Sequence, residues 1–278
     1  MKVVQFSPDD KIITKNFSLN SKLNLPKITV VTTCYNHAPY IEATLQSVIN
    51  QRYPNLEYIV IDGGSTDGSQ EIIERYRNHL TDYFIEPNTL QIHKLIKGFA
   101  RATGDIFCML NSDDIFEPGV LEEVAQFFLN NPQARVVYGN YSSIDTEGNL
   151  INRRKQIGFN RFIFMYDVNY IPQTSTFWRR DLYEEIGGLT LDFDIAIDID
   201  LWIKFADVTP IYHVRRYWSK YRVHPQQKSL TNNEKLSREI NAIRKRYKPN
   251  EPNWSIILKG KLGKFMRITG KLLTGCYW

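Results

Sequence analysis

The 278-residue sequence has few cysteines and no long apolar run. Its three cysteines show neither C-x-x-C nor any other metal-ligand spacing, which argues against a disulfide framework and a zinc site. No apolar stretch approaches the roughly 18 residues that suggest a membrane span. Residues 1–13 lack the apolar segment of a secretory signal. The sequence therefore predicts a cytoplasmic protein whose thiols are reduced and, for Cys34 and Cys108, buried in strands.

Two common nucleotide-binding motifs are also missing. Gly63 and Gly68 have the spacing of a P-loop, but Ser69 stands where that loop needs its lysine. The G-x-G-x-x-G pattern of dinucleotide-binding proteins is absent. The net charge is a modest +5, with no long basic run interleaved with aromatic residues, so a nucleic-acid groove is not indicated. Kinase-like, nicotinamide-dependent and nucleic-acid-binding functions therefore lose their main support.

Strand and helix patterns alternate four times within about a hundred residues, which is typical of a doubly wound α/β sheet with flanking helices. The predicted strands cover residues 28–33, 56–61, 83–85, 106–110 and 135–138. Asp67, with Gln70 three residues later, predicts a cap for the second helix. From residue 139 to about residue 170 the sequence predicts mainly loops. The expected fold class is thus α/β with a mostly parallel sheet.

Polar and acidic residues follow these strands at their carboxyl ends, where such sheets bind ligands. Tyr35 follows the first strand, Asp62 ends the second, and Asp113 and Asp114 follow the fourth. Two adjacent acids at a strand end are costly to bury without a cation or donors, and carboxylate oxygens suit Mg²⁺ or Mn²⁺. The alternative is a helix cap, because a helix pattern begins just after Pro118. The pattern favours a nucleotide whose base meets Tyr35 and Asp62.

The segment from residue 192 to residue 202 has an ambiguous period, which becomes helical from Ile199 onward. Asp198 and Asp200 therefore lie near a helix start. There an acid stabilises the helix dipole or caps the first turn, worth under about 1 kcal/mol. Spacing favours this structural role for Asp200 and leaves Asp198 open between it and a chemical role.

Six short motifs, taken in order, resemble those of the inverting family 2 glycosyltransferases of the GT-A fold. They are Thr33-Cys34-Tyr35-Asn36, Ile61 to Gly68, Ala102 to Asp105, Asn111 to Asp114, Asp198 to Trp202, and Tyr221 to Pro225. The resemblance covers roughly residues 27–228. Each motif is weak alone, whereas the ordered set is specific.

The resemblance implies transfer of a sugar, with inversion, from a nucleotide-diphosphate sugar to a hydroxyl of a glycan or lipid-linked saccharide. A UDP-sugar is the favoured donor. The family's pattern implies that Thr33 and Tyr35 line the base pocket, that Asp62 accepts from a ring N–H of the base, and that Asp113 meets the ribose. No nucleic-acid partner is expected, and the sequence does not indicate an oligomeric state.

The resemblance also implies a Mn²⁺ or Mg²⁺ cofactor and a catalytic base. Asp114 matches the ligand of the metal that bridges the two phosphates, and His224 matches a residue near the diphosphate or metal. Asp198 matches the base that deprotonates the acceptor. The domain predicted at 27–230 comprises a nucleotide-binding half, 27–140, and an acceptor-side half, 141–230. Residues 1–26 show no sustained period and end at Pro26, which predicts an extension packed on the outside.

The sequence departs from the family pattern at several positions. Gly63 stands where many members have a second acid, and Ile197 replaces an acid often found beside the base. Leu90, His93 and Ile96 replace the glycine, aspartate and asparagine usual in one subgroup. These departures keep a non-catalytic nucleotide-sugar-binding protein open as an alternative. A nucleotidyltransferase is a second alternative, although the glycine-rich basic loop it needs after the first strand is missing.

Residues 231–278 predict a helical basic tail. From residue 254 onward this tail has many apolar residues and five cations but no acid; the cations are Lys259, Lys261, Lys264, Arg267 and Lys271. Such a segment is typical of an interfacial helix on anionic lipid, which predicts peripheral contact with the inner face of the plasma membrane. A terminal helix that packs on the domain is the equal alternative.

Overall fold

The computed structural model describes residues 25–248 and 251–275 of the chain. The predicted N-terminal extension and Cys276 therefore lie almost wholly outside the described residues. The described strands are β1 Ile28–Cys34, β2 Leu56–Asp62, β3 Asp82–Ile85, β4 Ile106–Met109, β5 Ile115–Phe116, β6 Val136–Ile144, β7 Leu150–Arg154, β8 Thr176–Arg179 and β9 Tyr212–Arg222. The described helices are α1 Ala38–Ile49, α2 Ser69–Arg75, α3 Gln91–Arg101, α4 Val120–Asn130, α5 Arg161–Tyr166, α6 Arg180–Glu185, α7 Ile197–Val208, α8 Lys228–Thr231, α9 Asn233–Tyr247 and α10 Asn253–Leu273.

The described strands form one sheet in the order β3-β2-β1-β4-β8-β6-β9-β5, with β7 paired to β6. The first four strands in this order are mutually parallel, and the ends of β1 and β2 are in register at Cys34 and Asp62. Every residue of β1 is buried, because helices cover both faces of a sheet of this kind. The predicted α/β class with a mostly parallel sheet and flanking helices is confirmed.

The second half of the sheet adds antiparallel pairs: β8 joins β4 to β6, and β5 pairs with β9, whereas β6 and β9 are parallel. The prediction of mainly loops between residues 139 and 170 was wrong, since this tract contains most of β6 as well as β7 and α5. The prediction failed because polar residues are buried in β6. Asn140 and Ser142 lie buried in β6, and the Asn140 side chain accepts from the Gln156 backbone N–H, so the usual apolar alternation is missing.

Strand β8 was not predicted, and one helix cap was predicted wrongly. This strand lies between Gln173 and the next helix. Gly68, in left-handed conformation, is the residue that precedes α2, and no side chain caps that helix. Asp67 instead accepts from the backbone N–H groups of Ala38 and Ser69 and so ties the loops after β1 and β2 together.

The predicted helical C-terminal extension is confirmed by α9 and α10. Helix α10 packs against α5, in the half of the chain that follows β6. Within the described residues, no helix combines the length and the apolar character that crossing a bilayer requires. The largest fully buried side chains of the core include Trp178, Trp202 and Trp218.

Candidate active site

A cavity of about 1260 Å³ opens at the carboxyl ends of β1, β2 and β4. One set of lining residues comes from these strand ends and from α3; it includes Thr33, Tyr35, Gly63, Lys94 and Asp113. The other set comes from the later part of the chain; it includes Asn169, Asp198, Arg244, Arg267 and Lys271. Both halves of the described chain therefore contribute to one cavity, on the side of the sheet where the sequence predicts a ligand.

The pocket after β1 combines an aromatic ring with a buried cation. The Tyr35 side chain is 59 % exposed at the cavity surface. A Cβ atom on Gly63 would lie 3.1 Å from Tyr35 Cδ2 and 3.1 Å from Lys94 Nζ, so a larger side chain at Gly63 would crowd both groups. Burial lowers the pKa of Lys94, whose ammonium donates to the Thr89 carbonyl oxygen. Gln91 Nε2 donates to Thr33 Oγ1, and both residues line the cavity.

The Asp62 side chain is fully buried and does not line the cavity. Its Oδ1 accepts from the backbone N–H groups of Gly64 at 2.8 Å and Ser65 at 2.7 Å, and from Gln70 Nε2 at 3.0 Å. Its Oδ2 accepts from Ser65 Oγ at 2.6 Å. Both oxygens are thus engaged by the loop after β2, and the structure does not bring Asp62 to the surface that a base would contact.

Two histidines surround Asp113 at the end of β4. His224 Nε2 lies 3.0 Å from Asp113 Oδ2, and this hydrogen bond raises the pKa of His224. The His37 ring meets the His224 ring edge to face at 5.7 Å between centroids. Its Nδ1 lies 2.7 Å from Ser112 Oγ, and burial lowers the pKa of His37. His37, Asp113 and His224 each offer one atom that could ligate a metal, and these three atoms lie within 4.8 Å of one another.

This cluster fits a divalent cation by its donor chemistry. The buried Asp113 Oδ1 has no hydrogen-bond partner among the described residues, so it retains an accepting site inside the protein. Two imidazole nitrogens and a carboxylate suit Mn²⁺ and related transition metals, with further positions left for water and substrate oxygen. Asp113 was predicted to contact the donor and His224 to lie near the metal; the structure brings these two together.

Asp114 takes a different position. Its carboxylate is buried and absent from the cavity wall, with Oδ1 accepting from the Arg222 backbone N–H at 3.0 Å and Oδ2 from Asn111 Nδ2 at 3.3 Å. Burial and the neighbouring Asp113 carboxylate raise the pKa of Asp114 well above its usual range. The structure does not place Asp114 with His37 and His224, and its role as a metal ligand stays a prediction.

The Arg222 side chain, two residues before His224, binds backbone carbonyl oxygens around the acidic turn. Its Nε donates to the Asp113 carbonyl oxygen at 3.0 Å, and its Nη1 donates to the carbonyl oxygens of Asp145 and Thr146. The end of β9 therefore holds the backbone of the acidic turn, and two residues later the chain delivers His224 to Asp113.

Asp198 lines the cavity in the first turn of α7, which confirms the predicted helix start. Its Oδ2 accepts from Asn169 Nδ2 at 3.0 Å and its Oδ1 from the Ile199 backbone N–H at 2.9 Å. Burial raises the pKa of Asp198 to about 6. A carboxylate with this pKa is suited to accept a proton near neutral pH.

The turn before Asp198 is held by a carboxylate from another helix. Glu239 of α9 accepts from the backbone N–H groups of Asp194, Ile195 and Ala196 at 2.9 to 3.2 Å. The Asp194 side chain in turn pairs with Lys235 Nζ at 2.7 Å. Helix α9 thus fixes the entry to α7 through Lys235 and Glu239.

Among the residues that depart from the family pattern, Leu90 lines the cavity and His93 does not. Sequence reasoning missed His37, Lys94 and Asn169. The signal for His37 was present, because it follows Tyr35 and Asn36 at the end of a predicted strand. Lys94 and Asn169 carried no comparable signal: the first lies within a helix and the second in a tract predicted as loop.

Comparison with known proteins gives curated relatives over most of the chain. Chondroitin synthase of Escherichia coli is 28% identical over 216 residues, which are 74% of this chain and 30% of that protein. An uncharacterized glycosyltransferase of Haemophilus influenzae is 34% identical over 147 residues, which are 49% of this chain and 57% of that protein. The matched part of the chain thus spans less than two thirds of either relative.

Solved structures share the fold. Residues 1–349 of TarS from S. aureus, in complex with UDP-GlcNAc, superpose with a TM-score of 0.63 at 18% identity, over 89% of this chain and 75% of that one. The mannosyltransferase PcManGT from Pyrobaculum calidifontis, with GDP-Man and Mn²⁺, gives 0.60 at 17% identity, over 92% and 77%. The predicted GT-A fold is confirmed. The sequence model described as glycosyl transferase family 2 matches residues 29–187, and the chain therefore belongs to glycosyl transferase family 2.

Proposed function

We propose that the protein is a metal-assisted inverting glycosyltransferase that moves a sugar from a UDP-sugar to a hydroxyl of a glycan or lipid-linked saccharide. The observation that carries this proposal is one cavity lined by both the Asp113 end of β4 and the Asp198 end of α7. The first supplies groups for a nucleotide diphosphate and the second a base for an acceptor. The solved structures that contain UDP-GlcNAc, or GDP-Man with Mn²⁺, support a nucleotide-sugar donor.

The proposed reaction is a single displacement. The acceptor hydroxyl oxygen forms a bond to the anomeric carbon as the bond from that carbon to the diphosphate oxygen breaks. The hydroxyl proton passes to the Asp198 carboxylate, and the nucleoside diphosphate leaves with the bonding electron pair. Because attack comes from the face opposite the leaving group, the anomeric configuration inverts. Asn169 and the Ile199 N–H hold the carboxylate in place while it receives the proton.

Asp113 and His224 are the proposed ligands of a Mn²⁺ or Mg²⁺ ion, with His37 close enough to join them. When bound, such an ion neutralises the charge that develops on the departing diphosphate. Arg222 contributes indirectly, because it holds the turn that presents Asp113. His224 Nε2 must lose its proton before it can bind a metal. The hydrogen bond to Asp113 and the metal therefore compete for this nitrogen.

For the donor base, we propose that Tyr35 stacks on its face and that Thr33 and the buried Lys94 approach its edge. An ammonium only donates, so Lys94 suits a carbonyl oxygen of the base. Asp62 then acts through the loop it organises, unless donor binding releases its oxygens to the base. In this proposal residues 27–140 form the nucleotide-binding half and residues 141–230 the acceptor-side half.

The test is a thermal-shift and turnover screen with UDP-, GDP- and dTDP-sugars, with and without Mn²⁺. We expect a Mn²⁺-dependent stabilisation by one nucleotide class, followed by release of free sugar or transfer to an added acceptor. Stabilisation without any turnover across acceptors would favour the non-catalytic alternative, whose support is the apolar Leu90 at the cavity wall. An NMR time course in which the first product retains the donor's anomeric configuration would exclude inversion.

A further inference from the structure

Helix α10 packs on the domain through a face of small residues. Gly263 is buried, and a Cβ atom there would lie 3.2 Å from Asp167 Cβ. At Gly260 a Cβ atom would lie 3.1 Å from the Tyr166 carbonyl oxygen. Arg267 Nε donates to Asp167 Oδ2 at 2.5 Å beside them. The glycines, which lower helix propensity, thus permit close contact with the end of α5, and the predicted packing of a terminal helix on the domain is observed.

This packing leaves the opposite face of α10 open. Trp254, Leu258, Phe265 and Leu272 are spaced four, seven and seven residues apart, which places them along one stripe of an α-helix. Each is more than half exposed; the values are 70% for Trp254, 61% for Leu258, 64% for Phe265 and 57% for Leu272. Ile257, Leu262 and Leu273 widen the stripe and are also at least half exposed. So large an apolar surface on a protein marks an interaction site.

The charges around this stripe have one sign. Lys264 is exposed beside the stripe, and Lys261 is exposed within it, three residues after Leu258 and four before Phe265. A long lysine side chain at such a position can lie along apolar surface and place its charge at the headgroups. The sequence from residue 254 to residue 278 contains no aspartate or glutamate. A second copy of α10 would place these lysines against each other with no acid of that segment to pair with them. An anionic lipid surface supplies the missing charge, and its acyl region accepts the aromatic and aliphatic side chains.

We propose that α10 lies in the plane of an anionic bilayer surface, with the stripe from Trp254 to Leu272 buried at the acyl boundary. The glycine face remains on α5. Arg267 and Lys271 of the same helix line the cavity, so docking holds the cavity close to the lipid headgroups. A corollary rests on the proposed function: the acceptor is an amphiphile held at that surface. The docking itself does not depend on the reaction.

The test is sedimentation of the full chain with vesicles of phosphatidylcholine alone or with phosphatidylglycerol added. We expect binding to the anionic vesicles, at least tenfold weaker on pure phosphatidylcholine, and loss of binding as NaCl is raised. The variant with Leu258→Glu and Phe265→Glu should bind anionic vesicles at least tenfold less. The matched control carries Leu129→Glu and Leu191→Glu, which change two exposed leucines outside α10 and should bind like the unaltered protein.

Three results overturn the proposal: no sedimentation with anionic vesicles, equal loss in the α10 variant and its control, or a stable dimer that the α10 variant disrupts while vesicle binding persists. Circular dichroism and UDP-induced thermal shift on the same variants show that the fold and the donor site are intact. These readouts also separate the two proposals. Donor binding with no vesicle binding sinks the docking alone, whereas vesicle binding with no turnover on any donor sinks the proposed function alone.

Discussion

Two parallel strands lead to an acid: β2 ends at Asp62, and Asp113 lies four residues after the end of β4. The two acids differ in how their oxygens are used. Asp62 at the end of β2 accepts four hydrogen bonds from its own loop and α2. Asp113 after β4 shares one oxygen with His224 and keeps the other, Oδ1, without a partner among the described residues. An acid at a strand end therefore does not by itself indicate a binding site. Unused hydrogen-bonding capacity distinguishes the candidate ligand Asp113 from Asp62, whose oxygens are occupied by the surrounding loop and α2.

Two acids of α7, Asp198 and Asp200, also differ in how their oxygens are used. Asp200 is buried and pairs with Lys204 at 2.8 Å and with Arg246 at 3.4 Å. Asp198 has an amide and a backbone N–H as partners and faces the cavity. The predicted structural role for Asp200 thus agrees with its ion pairs, while Asp198 has the surroundings that a base requires. The following predictions test this contrast.

The largest expected effect comes from Asp198→Asn. Removing a general base should lower the transfer rate by about 10² to 10⁴ while leaving donor affinity unchanged. The comparison variant is Asp200→Asn, which should weaken the fold through its lost ion pairs and retain most of the rate at a temperature where it stays folded. Single-turnover rates and UDP titrations measure both. If the two variants lose equal rate, the distinction between these acids fails.

Next in size is Asp113→Asn, measured by Mn²⁺ titration in the presence of UDP. Loss of a second-shell partner typically costs 10- to 100-fold in metal affinity, and loss of a direct ligand should cost no less. Asp114→Asn tests the ligand predicted from the family pattern. We expect it to affect Mn²⁺ affinity less, because its carboxylate is turned to Arg222 and Asn111. The reverse order would show that metal binding rearranges this turn.

Asp62→Asn should act mainly on stability. Weakening hydrogen bonds to a buried carboxylate is expected to lower the free energy of unfolding by about 1 to 3 kcal/mol. Urea unfolding measures this change, and UDP affinity of the folded variant should change little. Lost UDP affinity at unchanged stability would instead support the direct contact with the base that the family pattern implies.

The smallest effect is the pH dependence set by Asp198. Since its pKa in the ligand-free protein is raised to about 6, kcat/KM should rise with pH and level off above that value, falling about tenfold per pH unit below it. Its folded pKa exceeds the unfolded value, so protonated Asp198 stabilises the fold below about pH 4, and this contribution is lost as pH rises toward 6. Asp198→Asn should flatten that part of the stability profile. An unchanged profile in the variant would assign the titration to another group.

Sequence reasoning recovered the first half of the fold because its strands are apolar and its helices carry regular stripes. It predicted the start of β6 but missed the rest of β6 and all of β8, where the buried Asn140 accepts from the Gln156 N–H and the buried Thr176 donates to the Pro172 carbonyl oxygen. The motifs pointed to Asp113 and Asp198, which line the cavity, and to His224, which contacts Asp113. They did not point to His37, although that residue also follows a strand. The local sequence does not show which of two neighbouring acids faces the cavity. That depends on the direction of each side chain and on donors distant in sequence, such as Arg222.

The contact of Arg222 with Asp114 joins residues separated by 108 positions in the chain. The acidic turn after β4 can form its final geometry only once β9 has entered the sheet, and long-range closures of this kind are slow steps in folding. A chain growing from the ribosome would thus complete β1, β2 and β4 well before the turn at Asp113 and Asp114 reaches its final geometry. Under the proposed function, the candidate metal site would therefore assemble only when β9, the last strand of the described residues, joins the sheet.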